Sequence, residues 1–228
     1  MNLAQTWRRA LCDVALSYGP EAPTLCEGWD VRDLLAHLSV RDARPDALLA
    51  MALPGAARYA EWVRERATRA NFEEVVAAVR AGPPRMSPLS VHRLDEAVNT
   101  TEFLIHHEDI VRGADPHSSQ RGQSGQPEDA IDPASATAAW KALTRAGPLM
   151  YRTAPVGLVV VAPGHGRAAL RRPPTGAGTV VMTGQPLELL LYAFGRTGAA
   201  SVQVAGAAVD IAAYAAAFSG QPQAEGDR

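Results

Sequence analysis

The chain has 228 residues, with 22 basic and 24 acidic side chains and a formal net charge of −2. This balance argues against electrostatic binding to nucleic acid or to an anionic membrane, because both require a clustered excess of Lys and Arg. The sequence has no apolar run of about 18 residues and no charged leader before an apolar segment, so it predicts a cytoplasmic protein without a transmembrane helix or signal peptide.

The first half of the chain has the apolar spacing of α-helices. A first helix is predicted over residues 2–18. A second begins at Asp30, whose carboxylate can cap the free amides of the first turn. Shorter helical pieces are predicted over 59–67 and 72–80, and a long helix over 90–113.

A polar segment rich in Gly, Ser and Pro, residues 114–133, separates these helices from a further predicted helix over 134–151. Its composition predicts a mobile loop, because it offers few large apolar side chains for packing. Four principal helices with long connections indicate a helical bundle, which we expect to occupy residues 1–152.

The periodicity changes after this bundle, where short β-branched runs alternate with helical segments. We expect a small α/β domain over residues 153–228, so the predicted fold class is α+β. The predicted strands are Val156–Ala162, Gly178–Thr183 and Ser201–Ala205, and the predicted helices are Pro186–Phe194 and Ile211–Phe218.

The long helix of the first half carries a carboxylate and an imidazole among apolar residues. Glu102 and His106 are four residues apart, so they point to the same side of the helix. Because the other sides are apolar, we expect both side chains to be buried, and a buried charge needs a partner or a metal. If the second helix packs alongside, His37 joins them, and three such ligands leave one position of a catalytic metal open. A Glu–His hydrogen bond inside a bundle is the alternative interpretation.

Other reactive side chains are given simpler roles. His107 faces away from the Glu102–His106 pair and is expected to be exposed. Cys26 is interpreted as a small buried residue of the turn before the second helix, with a nucleophile or a fourth metal ligand as the alternatives.

A substrate anchor is predicted in the C-terminal domain, because the bundle sequence shows no obvious cation beside the predicted metal. We choose Arg196, which follows the Pro186–Phe194 helix. Its guanidinium is predicted either to hold the carboxylate of an anionic substrate between the domains or to stabilise the carbonyl end of the helix.

Four stretches of the chain resemble one known family. Cys26–Leu38 (CEGWDVRDLLAHL) and Thr101–Arg112 (TEFLIHHEDIVR) resemble the N-terminal bundle of the mycothiol-dependent maleylpyruvate isomerase family, which is of the DinB-like type. Thr183–Arg196 and Ser201–Gly206 resemble the small α/β domain that follows the bundle in that family. The resemblance therefore implies the same order of domains in this chain.

The resemblance also implies a cofactor and a cosubstrate. The cofactor is a divalent metal, usually zinc, held by a histidine of the second helix and a Glu-x-x-x-His pair of the third, which correspond to His37, Glu102 and His106. The cosubstrate is mycothiol, a low-molecular-weight thiol of the actinobacteria. The excess of Arg over Lys is consistent with the GC-rich genomes of that group.

We therefore expect a metalloprotein whose open metal position accepts a thiol, with a small anionic molecule as substrate. A metal beside the sulfur lowers the pKa of a thiol and holds it as a thiolate at neutral pH. The thiolate could add to an activated double bond, permit rotation and leave, which is cis–trans isomerisation, or it could stay attached, which is thiol transfer. The rival hypothesis is a non-catalytic metal- or ligand-binding protein that serves as a sensor or scaffold.

Overall fold

The chain divides into two compact units, one ending at Pro116 and one running from His117 to Ala224. The computed structural model describes residues 2–43, 66–83, 94–115 and 131–218. No helix within these ranges is both long and apolar enough to cross a membrane. The helix predicted over 59–67 and the loop predicted over 114–133 lie largely outside the described residues.

The described elements of the first unit are helices, and an isolated β-bridge joins Pro23 and Asp30. Asn2 caps the first helix, since its side-chain oxygen accepts from the Gln5 amide at 2.9 Å and the Gln5 side chain accepts from the Asn2 amide at 3.3 Å. Asp30 begins the second helix and accepts from the Asp33 amide at 2.9 Å, as the sequence predicts. The helices are α1 (Leu3–Tyr18), α2 (Val31–Ala43), α3 (Phe72–Ala81) and α4 (Leu94–Ala114).

All four of these helices contribute to one apolar core. Its largest fully buried members include Leu11 of α1, Leu34 and Leu38 of α2, and Phe103 and Ile110 of α4. On α4, buried apolar side chains occur on several sides of the helix, in agreement with the sequence pattern. Polar groups on α4 therefore lie against protein on most sides.

A buried arginine connects the four helices by polar contacts. Arg8 of α1 forms an ion pair with Asp42 of α2 and donates to the Val79 carbonyl of α3 at 2.6 Å. Its guanidinium carbon lies 4.3 Å from the ring centre of Phe103 on α4. Since Arg8 and Asp42 are both buried, each needs the other to compensate its charge.

The segment between α1 and α2 packs directly on the end of α4. The Leu25 amide donates to the Asp109 carbonyl at 3.0 Å. Gly113 permits this approach, because a Cβ atom at this position would lie 2.4 Å from the Thr24 Cα. The absence of a side chain at Gly113 thus determines where Cys26 lies relative to α4.

The second unit combines helices with a four-stranded sheet. The strand order is β2-β1-β3-β4, with β1 and β3 parallel and the other neighbours antiparallel. The apolar run that the sequence predicts as a strand forms β1, which is largely buried and lies inside the sheet between β2 and β3. The elements are α5 (Pro133–Met150), β1 (Gly157–Ala162), β2 (Gly166–Arg171), β3 (Thr179–Thr183), α6 (Pro186–Ala193), β4 (Gln203–Ala205) and α7 (Ala208–Phe218).

Two features of this unit differ from the sequence prediction. The predicted boundary after residue 152 places α5 in the bundle, whereas α5 packs against β2 and α6 of the second unit. Gly147 brings α5 close to β2, since a Cβ atom there would lie 2.9 Å from the methyl carbons of Leu170. The strand β2 was not predicted, because its sequence GRAALR contains no β-branched residue. The α+β class itself is confirmed.

The Arg8–Asp42 pair leads to a stability prediction. Asp42→Asn leaves a buried guanidinium uncompensated, so we expect a loss of about 3–5 kcal/mol in the free energy of unfolding. The control is Asp13→Asn, which breaks the more exposed Arg80–Asp13 pair at 2.6 Å and should cost less than about 1 kcal/mol. Denaturant unfolding followed by circular dichroism measures the free energy of unfolding of both variants. Equal losses in Asp42→Asn and Asp13→Asn would show that the buried Arg8–Asp42 pair is no more important for stability than an exposed pair.

The close approach at Gly113 leads to a second prediction. Gly113→Ala forces a methyl group into the Thr24 backbone, so we expect a loss of about 1–3 kcal/mol and faster hydrogen exchange at the Leu25 amide. Gly198→Ala is the control, because a Cβ atom there meets nothing within 4 Å. Hydrogen exchange measured by mass spectrometry reports both variants. Unchanged exchange at Leu25 in Gly113→Ala would show that the segment is held by other contacts.

Candidate metal centre

Two helices of the first unit bring together the three residues that the sequence analysis proposes as metal ligands. His37 lies on α2, and Glu102 and His106 lie one turn apart on α4. The Nε2 atom of His106 is 3.2 Å from Glu102 Oε1, and the Nε2 atom of His37 is 3.8 Å from the same oxygen. The two imidazole rings meet edge to face, with centres 6.0 Å apart. One ligand atom from each residue thus lies within 4.8 Å of the others.

This His37–Glu102–His106 group is only partly shielded from solvent. The side chains of His37, Glu102 and His106 are 16, 18 and 12% exposed, respectively. Trp29, in the segment before α2, lies against His37 with the ring centres 5.3 Å apart. The group is therefore desolvated on most sides and still reached by water.

The other edge of the His106 ring faces a second carboxylate. His106 Nδ1 lies 2.9 Å from Asp109 Oδ2, and the Cys26 thiol donates to the same oxygen at 3.3 Å. The Asp109 side chain is 0% exposed. Cys26, His106 and Asp109 form a second set of possible metal ligands, which shares His106 with the first. Sequence reasoning did not identify this contact, although the three-residue spacing of His106 and Asp109 was the available signal.

The hydrogen bonds of the group shift two pKa values in opposite directions. Burial raises the pKa of Glu102, but hydrogen bonds with His106 and His37 and the charges of His106 and Arg41 outweigh it and hold the pKa well below its usual range. Burial lowers the pKa of His106, but hydrogen bonds with Asp109, Cys26 and Glu102 outweigh it and raise that pKa well above its usual range. Without a metal, the group therefore contains an ionised carboxylate beside a protonated imidazole.

A cation lies beside the group, contrary to the sequence analysis, which found no such anchor in the bundle. Arg41 follows His37 by one turn of α2, and its Nε atom is 3.8 Å from Glu102 Oε1. Its guanidinium also donates to Asn99 Oδ1 at 2.7 Å. The four-residue spacing of His37 and Arg41 was the signal that sequence reasoning left unused.

The prediction that His107 is exposed is wrong. Its ring is mostly buried and packs edge-on against Trp7 of α1, with the ring centres 5.0 Å apart. Its Nδ1 lies 3.0 Å from Glu108 Oε1, and Arg112 donates to Glu108 at 2.7 Å. The reason is that α4 is covered on this face by α1 as well.

Arg196 lies in the second unit and is 5% exposed. Its guanidinium donates to the Phe194 carbonyl at 2.7 Å, at the end of α6. This contact is the one expected from an arginine that stabilises the carbonyl end of a helix.

A solved structure described as the mycothiol-dependent maleylpyruvate isomerase has the same fold, with a TM-score of 0.51 over 89% of this chain and 90% of that chain, at 19% sequence identity. No curated protein matches the chain significantly.

The family model described as "Mycothiol maleylpyruvate isomerase N-terminal domain" matches residues 2–103. The match includes His37 and Glu102 and ends three residues before His106. The resemblance stated from the sequence motifs is thus confirmed by the family model over residues 2–103 and by the shared fold.

Proposed function

We propose that this protein binds a divalent metal ion through His37, Glu102 and His106, and that this ion is zinc. We further propose that it is a thiol-dependent enzyme of the maleylpyruvate isomerase type, using mycothiol or a similar low-molecular-weight thiol to isomerise a small anionic substrate or to transfer the thiol to it. The observation that carries the proposal is the convergence of these three side chains from two helices.

The donor set fits zinc. Two imidazole nitrogens and one carboxylate oxygen are a common set in catalytic zinc sites, where three protein ligands leave one position for a substrate or water. The partial exposure of the three side chains supports access for a further ligand. When bound, the ion would supply the positive charge that keeps a thiol ionised at neutral pH.

The residues around the donor set have separate tasks in this proposal. Glu102 contributes one negative charge and the two neutral imidazoles contribute none, so a divalent ion would keep a net positive charge and favour an anionic thiolate. Arg41 places a second positive charge beside Glu102, where an anionic substrate would meet it. Neither Cys12 nor Cys26 forms a disulfide bond, which fits the reducing cytoplasm as the proposed location.

Metal content tests the ligand set directly. We expect the wild-type protein, purified without added metal, to hold one equivalent of zinc or a similar ion, and His106→Ala to hold none, because two ligands cannot retain it. His107→Ala is the matched control, since His107 is the next residue of α4 and lies outside the group. Elemental analysis and a zinc titration measure all three proteins. Stoichiometric metal in His106→Ala would overturn the ligand assignment.

Turnover separates the enzyme from a non-catalytic binding protein. The metal-loaded protein is incubated with mycothiol and maleylpyruvate, and the cis–trans conversion is followed by absorbance with and without a chelator. Conversion that needs both the thiol and the metal supports the isomerase, and consumption of the thiol with formation of an adduct supports a transferase. Binding of the thiol without either reaction would support the sensor or scaffold.

The role of Arg196 is decided by a conservative substitution. Its burial and its bond to the Phe194 carbonyl favour a stabilising role, so we expect Arg196→Lys to lower the free energy of unfolding by about 1–3 kcal/mol and to leave KM unchanged. A raised KM at unchanged stability would instead support the substrate clamp, the other alternative of the sequence analysis. Thermal unfolding and steady-state kinetics of the two proteins make the distinction.

A further inference from the structure

We infer that Asp109 is the positioning residue of the metal centre: it holds the Nδ1–H group of His106, and thereby makes Nε2 the nitrogen that binds the ion beside His37 and Glu102. The inference rests on the metal site proposed above. It goes further by deciding which of the two overlapping ligand sets is used and by giving Asp109 and Cys26 a task outside the ligand shell.

The first step is the geometry of the His106 ring. Its Nδ1 lies 2.9 Å from Asp109 Oδ2, while its Nε2 lies 3.2 Å from Glu102 Oε1. A neutral imidazole has one N–H group and one lone pair, and the partner of the first nitrogen decides which nitrogen keeps the lone pair. A carboxylate at Nδ1 fixes the proton there, because an ionised carboxylate only accepts. With the Nδ1 proton held by Asp109, the proton that an ion would displace is the one between Nε2 and Glu102, and this displacement leaves the lone pair on Nε2.

The second step is the rigidity of Asp109 itself. Its side chain is fully buried, and Oδ2 accepts from the Cys26 thiol at 3.3 Å as well as from His106. Its backbone carbonyl accepts from the Leu25 amide, so the segment that carries Cys26 is tied to the same residue twice. A buried carboxylate held in this way loses little freedom when it orients the imidazole.

The third step is the cost of the competing set. An ion bound by Cys26, His106 Nδ1 and Asp109 would require the thiol to give up the proton it donates to Asp109, which would place a thiolate next to a buried carboxylate. His106 would lose the proton that Asp109 accepts and would keep the one on Nε2, and His37 and Glu102 would lie outside the ligand shell. The first set instead keeps the hydrogen bonds of Asp109 with Cys26 and with His106 Nδ1, and uses the nitrogen that points at Glu102.

The same helix provides a matched control. His107 Nδ1 pairs with Glu108 Oε1 at 3.0 Å, in the same type of contact as His106 with Asp109. Neither residue belongs to a possible ligand set within the described part of the chain. Glu108→Gln therefore removes a carboxylate–imidazole bond from α4 without touching the proposed centre.

Zinc affinity tests the inference with three variants: Asp109→Asn, Glu108→Gln and Cys26→Ser. Competition with a chromophoric chelator should show zinc binding weakened about 10–100-fold in Asp109→Asn, the usual effect of losing such a partner. It should be unchanged in Glu108→Gln, and also in Cys26→Ser, because the serine hydroxyl can still donate to Asp109. A comparable loss in Cys26→Ser would identify the thiol as a ligand and overturn the choice of ligand set. Equal affinity in Asp109→Asn and the wild type would overturn the positioning role.

A measurement on the wild type keeps the inference testable even if Asp109→Asn does not fold. In the zinc-loaded protein labelled with ¹⁵N at histidine, two-bond ¹H–¹⁵N correlations should show His106 with its proton on Nδ1 and zinc on Nε2. Zinc on Nδ1 would overturn the inference and leave the metal-binding proposal intact. A wild-type protein that binds no zinc at all would instead overturn the proposed function, and this inference with it.

Discussion

The burial of α4 on several sides is the constraint on which the first unit depends. A carboxylate or an imidazole on a helix covered in this way loses most of its contact with bulk water, so it needs a partner within the protein. Glu102 contacts His106, His37 and Arg41, and Asp109 contacts His106 and Cys26. The polar side chains that would hold a metal are thus the same ones whose contacts offset the cost of burying polar groups on α4. The same reasoning explains why Arg8 is surrounded by partners from the neighbouring helices.

Much of this centre follows from local periodicity in the sequence. The four-residue spacing places Glu102 and His106 on one side of α4, and the apolar stripe of α2 turns His37 toward the core. Both statements need only the 3.6-residue period of a helix and the expectation that two amphipathic helices pack on their apolar faces. These contacts are therefore predictable from short stretches of sequence, and the structure agrees with them.

Other contacts depend on packing between distant segments, which periodicity does not encode. The Cys26–Asp109 contact exists because the segment before α2 lies on the α4 backbone at Gly113. A single glycine in the sequence does not indicate which segment will pack against it. The same holds for α5. Its apolar pattern predicts a buried face, but the pattern does not predict that Leu170 of β2 covers this face at Gly147. The strand β2 was missed for another reason, since its half-exposed sequence owes its conformation to pairing with β1 rather than to β propensity.

The charges around His106 connect the architecture to the proposed chemistry. In the metal-free protein, two carboxylates, Glu102 and Asp109, face two positive groups, Arg41 and the protonated His106, so the group is close to neutral. An ion that binds Nε2 must displace the proton held there, which exchanges one positive charge for two. The surplus charge lies in a partly desolvated site, where an anion is attracted more strongly than in water. In the proposed centre, a thiolate or a substrate carboxylate would restore neutrality and a neutral ligand would not, so the buried carboxylates would favour the binding of one anion.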